Sequence, residues 1–276
     1  MKKSLKYLSG LAAAAIVSSA NAAPINVGGV VWDPDSIFDF SAVDSMIENV
    51  VQNVGDELRG FARITTLNNT AEAVFCPGCE LTYVFDGFIL EDNAAGLGNS
   101  FVFSGGSIRV YVDNTPDYDG FNRSTAENGN LWLELAGALF YDPVVGEVGT
   151  IISDATPAST GVAGDGRGFM NVVGGLAAAF FDPEAFPIDS TGDGIADSFA
   201  AFQFTSSFQL IPGGGFISDD GVFYGLFGSN EIQARTVLPV PEPGVLSLLA
   251  LALIVGGVVS RGTRVLRSKG VEFKMA

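Results

Sequence analysis

The chain has 276 residues and a formal net charge of −17 at neutral pH, and it contains no histidine. The absence of histidine excludes Ser-His-Asp and Cys-His catalysis and zinc sites with histidine ligands. Residues 23–240 contain no lysine and six arginines against 29 acidic residues, a balance of −23, which excludes nucleic acid as a partner and favours cations.

The N-terminal 22 residues have the organisation of a secretory signal peptide. Three of the first six residues are lysines, and an apolar stretch follows them. Small residues at Ala20 and Ala22 then form an Ala-x-Ala cleavage pattern. We therefore expect residues 1–22 to bring the chain to the Sec translocon and to be removed after Ala22.

Residues 23–237 are predicted to form a β-rich extracytoplasmic domain. Short runs of valine and aromatic residues alternate with Gly, Asp, Asn and Pro, a pattern typical of strands joined by turns. Strands are predicted at 57–66, 80–90, 100–112, 130–141, 149–153, 168–181, 198–211 and 221–237. The expected fold class is mainly β, an antiparallel two-sheet sandwich.

Three segments of this body are predicted to be other than strand. A helical turn or two is expected within 40–53, because Val43, Met46, Ile47 and Val50 fall at helical spacing. The glycine-rich segments 92–100 and 161–168 are expected to be loops.

Cys76 and Cys79 are the two cysteines of the chain, and they occur in the sequence Cys-Pro-Gly-Cys. In an exported protein, a disulfide that fixes the turn before the strand 80–90 is the favoured interpretation. A thioredoxin-like redox pair would need a helix after the motif, whereas a strand is predicted there. A metal half-site or a pair of free thiols is also compatible with this spacing.

The segment 189–197 is a candidate calcium loop. Oxygen side chains occupy positions 1, 3, 5 and 9, glycine occupies position 6, and position 7 offers a carbonyl, so the proposed ligands are Asp189, Thr191, Asp193, Ile195 and Asp197. The spacing resembles the short calcium loops of thrombospondin type-3 and dockerin modules. It departs from the EF-hand because position 12 is Ala200. A structural Ca²⁺ ion is expected here, and a solvated loop between two strands is the alternative.

The remaining acidic residues give no catalytic site. Asp113, Asp117 and Asp119, like Asp219 and Asp220, lie beside glycine, proline or other turn residues. Nothing in the sequence places two of these carboxylates at the separation that a glycosidase requires. No catalytic residue is therefore predicted.

The C-terminal region 238–276 has three parts in a fixed order. Pro241, Glu242 and Pro243 come first, and residues 244–260 are uncharged and mostly apolar, long enough for a helix of about 25 Å. The basic tail 261–276 follows, with positive charges at Arg261, Arg264, Arg267 and Lys269. We expect a single transmembrane helix with the tail in the cytoplasm and the body outside.

This arrangement resembles the PEP-CTERM sorting signal, and the resemblance covers about residues 239–269. It implies recognition by exosortase, a membrane protease that acts near the Pro-Glu-Pro motif. The chain would be anchored transiently in the inner membrane of a Gram-negative bacterium and then released or transferred to the cell surface or extracellular matrix. The alternative is a plain membrane anchor that is never processed.

The sequence therefore favours a non-enzymatic surface or matrix protein associated with exopolysaccharide or biofilm. A calcium-assisted carbohydrate-binding or adhesin module is the first alternative. An exposed aromatic platform would support it, with Trp32, Trp132, Tyr118 and Phe121 as candidates. A secreted hydrolase that uses carboxylates is the second alternative, and it requires two acids facing each other in a cleft.

Overall fold

The structure is a computed structural model that describes residues 23–37, 39–92, 100–158 and 161–237. These residues belong to the unit Ala23–Val237. The expected signal peptide, the Pro-Glu-Pro motif, the apolar segment 244–260 and the basic tail lie outside the described residues. Within the described ranges, no helix has the length and apolar character needed to cross a membrane.

The fold is mainly β, as the sequence predicts, and its strands pair antiparallel. The strands are β1 Ile25–Val27, β2 Val30–Trp32, β3 Phe40–Asn49, β4 Glu57–Leu67, β5 Thr70–Ala71, β6 Glu80–Asp92, β7 Ser100–Asp113, β8 Asn130–Ala138, β9 Phe140–Asp142, β10 Glu147–Gly149, β11 Ile151–Ala158, β12 Gly161–Gly174, β13 Phe186–Ile188, β14 Ser198–Ala200, β15 Phe202–Leu210, β16 Phe216–Ile217 and β17 Phe223–Ala234. The helical segments are α1 Glu72–Phe75 and the 3₁₀ turns Arg123–Ala126 and Ala178–Phe180.

One large sheet contains the long strands, in the order β11-β12-β15-β17-β3-β4-β6-β7-β8. Its two ends are joined, because β7 also pairs with β11 and β12 also pairs with β8. The predicted two-sheet sandwich therefore differs from the structure, in which the main strands form a single sheet that closes on itself. Three hairpins, β1–β2, β9–β10 and β13–β14, form small separate sheets.

The closure depends on two strands of 14 residues, β7 and β12, that each pair with different neighbours along their length. In β7, the first part pairs with β11 up to Phe103, and the part from Ser107 onward pairs with β8. Gly105 and Gly106 lie between the two parts with φ of 68° and 84°, a backbone conformation that glycine adopts without steric cost. These two glycines separate the part of β7 that pairs with β11 from the part that pairs with β8.

The helical prediction for 40–53 is wrong, because β3 is a strand of 10 residues. Its inward positions are Phe40, Ala42, Asp44, Met46 and Glu48, all of them buried. Because two of the inward positions are acidic, apolar residues do not alternate regularly along this strand. Apolar residues on its outer face also fall at helical spacing, which led to the helical prediction.

The segment 161–168, predicted as a loop, is the first part of β12. Glycines in this segment allow phenylalanine rings to pack closely against the strand, and they do not form a turn. A Cβ added to Gly164 would lie 2.4 Å from the ring of Phe208, and one added to Gly168 would lie 2.5 Å from the ring of Phe204. Only glycine leaves room for these phenylalanine rings at the inner surface of β12.

Aromatic side chains fill one end of the sheet's interior. Phe40, Phe202 and Ala234 lie at one level, because β3, β15 and β17 pair them in register. Ring centroids at this end lie 4.7 to 6.3 Å apart, among Trp32, Phe40, Trp132, Phe181 and Phe202. Trp132 Nε1 also donates a hydrogen bond to the Val27 carbonyl at 2.9 Å, which ties the β1–β2 hairpin to this end. The opposite end of the interior is not filled in this way.

Candidate functional site: an interior cavity with a buried carboxyl group

A cavity of about 460 Å³ occupies the interior of the closed sheet away from the aromatic end. Along the strands, the cavity lies where Leu226 of β17 pairs with Leu210 on one side and with Glu48 on the other. These positions are near the ends of β15 and β3. Its volume lies within the range of small-molecule sites, roughly 300 to 1,000 Å³. The lining residues come from strands far apart in the sequence, so the cavity exists only in the folded chain.

The lining of the cavity is largely apolar. Its apolar members include Met46, Leu58, Phe85, Phe88, Phe103, Ile108, Ile151, Phe204, Phe208, Leu210 and Leu226. The small residues Ser153, Ala155 and Gly166 lie on the neighbouring strands β11 and β12, where larger side chains would fill the interior. The cavity therefore results from small residues on one part of the wall opposite phenylalanines on another.

Glu48 lines this cavity and is 5% exposed. No hydrogen bond joins its carboxyl group to another residue in the described ranges. Burial raises the pKa of Glu48 to about 8, and the nearby charge of Asp44 adds to the rise. At neutral pH the group is therefore a neutral carboxylic acid, which can donate one hydrogen bond and accept others.

Asp44 of β3, Tyr83 of β6 and Asn230 of β17 form a buried hydrogen-bonded group near Glu48. Asp44 accepts hydrogen bonds from the Tyr83 hydroxyl and from the Asn230 backbone N–H, the latter at 2.8 Å. Burial raises the pKa of Asp44 to about 7, although these two hydrogen bonds lower it in part. Burial also raises the pKa of Tyr83 well above its usual value, so its hydroxyl stays protonated.

Asn230 is the second cavity residue with unused hydrogen-bonding capacity. Its Nδ2 donates to the Tyr83 hydroxyl at 3.5 Å, whereas its Oδ1 is buried and has no hydrogen-bond partner in the described residues. Asn230 and Tyr83 both line the cavity, while Asp44 is not among the lining residues. The cavity thus offers an apolar volume, a neutral acid and an amide oxygen that a bound molecule could contact.

The predicted calcium loop lies between β13 and β14. Asp189 accepts hydrogen bonds from the backbone N–H groups of Gly192 at 2.6 Å and Gly194 at 2.7 Å. Asp197 accepts a hydrogen bond from the Ser190 N–H at 3.0 Å. Asp193 and Thr191 are exposed, as is the side chain of Ile195 at 68%. The three aspartates do not bring one carboxylate oxygen each to within 4.8 Å of one another, so calcium binding here stays a prediction.

The sulfur atoms of Cys76 and Cys79 lie at disulfide distance, in agreement with the favoured interpretation, and their Cα atoms are 5.1 Å apart. Both cysteines are buried, and the pair immediately precedes β6. A strand follows the motif, as expected. The disulfide fixes the chain just before Glu80, the first residue of that strand.

A group of acidic side chains that the sequence does not single out lies beside this disulfide. Carboxylate oxygens of Glu80, Asp113 and Asp117 all lie within 4.8 Å of one another. The turn chemistry of Asp113 and Asp117 is visible in the sequence, but their approach to Glu80 is not. It follows from the antiparallel pairing of Glu80 with Asp113 in β6 and β7.

The aromatic side chains proposed as a carbohydrate platform are mostly unavailable at the surface. Trp32 and Trp132 are 3% and 1% exposed and belong to the aromatic end of the interior. Phe121 is exposed but packs edge-on against Phe216, with ring centroids 5.0 Å apart. These positions do not form a flat exposed surface of the kind that stacks on sugar rings.

Comparisons with protein-family models, with curated proteins and with solved structures find no match to this chain. Function is therefore inferred from the sequence and from the geometry of the cavity. Sequence reasoning missed Asp44 and Glu48. The signal that could have found them is their placement four residues apart in a run whose alternate members Phe40, Ala42 and Met46 are apolar.

Proposed function

We propose that this chain is an exported surface or matrix protein of a Gram-negative bacterium, and that its β domain binds a mostly apolar small molecule. The observation that carries the binding proposal is an apolar cavity of about 460 Å³ that is lined by the carboxyl group of Glu48 and by Asn230, whose buried Oδ1 has no hydrogen-bond partner among the described residues. Export, sorting by exosortase and association with exopolysaccharide or biofilm rest on the sequence of the two termini.

The chemistry of the cavity defines the class of ligand. Burial of a polar atom without a hydrogen bond costs about 1–3 kcal/mol, and a bound molecule with a polar end would recover that cost. The surrounding phenylalanine, leucine and isoleucine side chains favour an aliphatic or aromatic body on the same molecule. The ligand is thus an uncharged amphiphile that meets Glu48 and Asn230 with a hydroxyl, carbonyl or amide group.

Binding is favoured over catalysis by the composition of the lining. A hydrolase that uses two carboxylates needs both acids to face the substrate. Among the described residues that line the cavity, Glu48 is the one that carries a carboxyl group. The nearby Asp44 is occupied by Tyr83 and the Asn230 backbone. This arrangement supports the non-enzymatic function that the sequence favours.

The binding proposal is tested with an uncharged fluorophore such as N-phenyl-1-naphthylamine, which emits more strongly in apolar surroundings. The full chain, purified in detergent, is compared with Ala155→Phe, which places a ring in the cavity from β11. The matched control is Thr205→Phe, at an exposed position on β15. We expect Ala155→Phe to weaken binding at least about tenfold, a free-energy difference of about 1.4 kcal/mol. Equal affinities for all three proteins would refute the proposal.

The sorting proposal is tested by mass spectrometry of the mature protein from host cells with and without exosortase. We expect the protein from cells with exosortase to lack the segment 244–276, and the protein from cells without the enzyme to retain it. A C-terminal segment that stays intact in both strains would refute exosortase processing. It would leave the ligand-binding proposal unaffected, because the cavity lies in the body.

A further inference from the structure

We propose that Glu80, Asp113 and Asp117 form a binding site for a divalent cation, with calcium as the expected ion. The site is separate from the predicted calcium loop 189–197 and from the interior cavity. It lies where β6 begins and β7 ends, next to the disulfide between Cys76 and Cys79.

The backbone brings the three carboxylates together. Glu80 and Asp113 are directly opposite each other in the β6–β7 pair, and Asp117 lies in the turn that follows β7. Glu80 Oε1 accepts hydrogen bonds from the backbone N–H groups of Asp117 at 2.9 Å and Tyr118 at 3.0 Å. These bonds hold the turn over Glu80, and carboxylate oxygens of all three acids lie within 4.8 Å of one another.

A buried carboxylate oxygen that accepts no hydrogen bond points to a bound cation. Glu80 is 0% exposed, and its Oε2 has no hydrogen-bond partner within the described ranges. Since a buried carboxylate oxygen without a hydrogen bond is costly, the folded protein should gain stability from a ligand that meets it. A cation is the ligand that would satisfy Glu80 and its two acidic neighbours together.

Arg63 forms a long ion pair with Glu80 and a closer, hydrogen-bonded ion pair with Glu72. Arg63 Nη1 lies 3.7 Å from Glu80 Oε2, beyond hydrogen-bonding distance. The same guanidinium donates two hydrogen bonds to Glu72, from Nε at 3.0 Å and from Nη2 at 2.5 Å. Because Glu72 balances Arg63, the three carboxylates of the site keep an excess of negative charge. Like charges opposite each other in a strand pair are otherwise destabilising.

The donor atoms select the type of ion. All three side chains supply carboxylate oxygen, the ligand that calcium and magnesium prefer. The sulfur atoms nearby are in the disulfide and cannot act as thiolate ligands for zinc. Calcium tolerates irregular geometry and completes its shell with water or backbone oxygens, whereas magnesium requires a near-ideal octahedron. An irregular site between a strand end and a turn therefore fits calcium better.

The test compares the purified full chain with two double variants. Asp113→Asn with Asp117→Asn removes two charges from the proposed site but keeps an oxygen that can accept the hydrogen bonds from Thr115 and Asn128. Asp193→Asn with Asp197→Asn makes the matching change in the loop 189–197. Each protein is titrated with calcium in a thermal melt, and with terbium, whose luminescence a nearby tyrosine such as Tyr118 can sensitise.

We expect calcium to raise the melting temperature of the parent and of the loop variant, and we expect the Asp113/Asp117 variant to bind calcium at least about tenfold more weakly. A calcium response that is unchanged in the Asp113/Asp117 variant and lost in the loop variant would overturn the proposal in favour of the loop. The absence of any calcium or terbium response in the parent would also overturn it.

Discussion

Replacement of Glu48 by glutamine should change how the stability of the protein depends on pH. In the folded protein the pKa of Glu48 is about 8, compared with an ordinary value of 4.5. Between these two values the folded chain retains a proton that the unfolded chain has released, so stability falls as pH rises. Glutamine cannot titrate, and the variant should lose this part of the pH dependence.

The size of the effect follows from the shift in pKa. One pKa unit corresponds to about 1.4 kcal/mol, so between pH 5.5 and 7.5 the Glu48 carboxyl group should cost the parent about 2–3 kcal/mol of unfolding free energy. Asp44, whose pKa is about 7, contributes a similar decline in both proteins, so most of its contribution drops out of their difference. We therefore expect Glu48→Gln to gain about 2–3 kcal/mol relative to the parent across this range.

The assay is urea denaturation of parent and variant at several pH values between 5.5 and 7.5. Glu147→Gln, which removes an exposed carboxyl group on β10, is the matched control and should give a profile parallel to that of the parent. If Glu48→Gln also ran parallel to the parent, Glu48 would not be a neutral acid in the folded protein. The description of the cavity would then need a charged group at this position.

Two further substitutions test contacts that stabilise the fold outside the cavity. Trp132→Ala should destabilise the fold by about 4 kcal/mol, because it removes a buried ring and the hydrogen bond to Val27. The control is Phe121→Ala, which removes an exposed ring and should cost less than about 1 kcal/mol in the same denaturation assay. Arg123→Met should cost about 3 kcal/mol, because it breaks a hydrogen-bonded ion pair with Asp86 in which the arginine side chain is 7% exposed. A cost below about 1 kcal/mol for Arg123→Met would show that Arg109, the second arginine paired with Asp86, is sufficient.

Much of the strand content could be predicted from local patterns. The alternation of Leu81, Tyr83 and Phe85 with more polar neighbours predicts a strand, and β6 includes all three. The pattern fails where buried acids or close packing interrupt it. Buried acids at Asp44 and Glu48 break the apolar period of β3, and the glycines of β12 face phenylalanine rings instead of forming turns.

The two candidate sites are less accessible to sequence reasoning. Asp44 lies 186 residues from Asn230, whose backbone N–H donates to its carboxylate, and no local pattern connects the two. Glu80 and Asp113 are strand partners across 33 positions of the chain. The calcium loop 189–197 is predicted from the regular spacing of its oxygen-bearing residues. Glu80, Asp113 and Asp117, which converge in the structure, have no such spacing in the sequence.

The sequence by itself determined that the body is rich in strands, strongly acidic and without histidine, since composition and period-two alternation are local properties of the chain. The two ends carry the sorting prediction for the same reason. Only the tertiary structure decided that the strands close into one sheet, which acids are buried and where a cavity remains. Those outcomes depend on pairings between distant strands and on whether small or large side chains meet inside, and neither is encoded in any single segment.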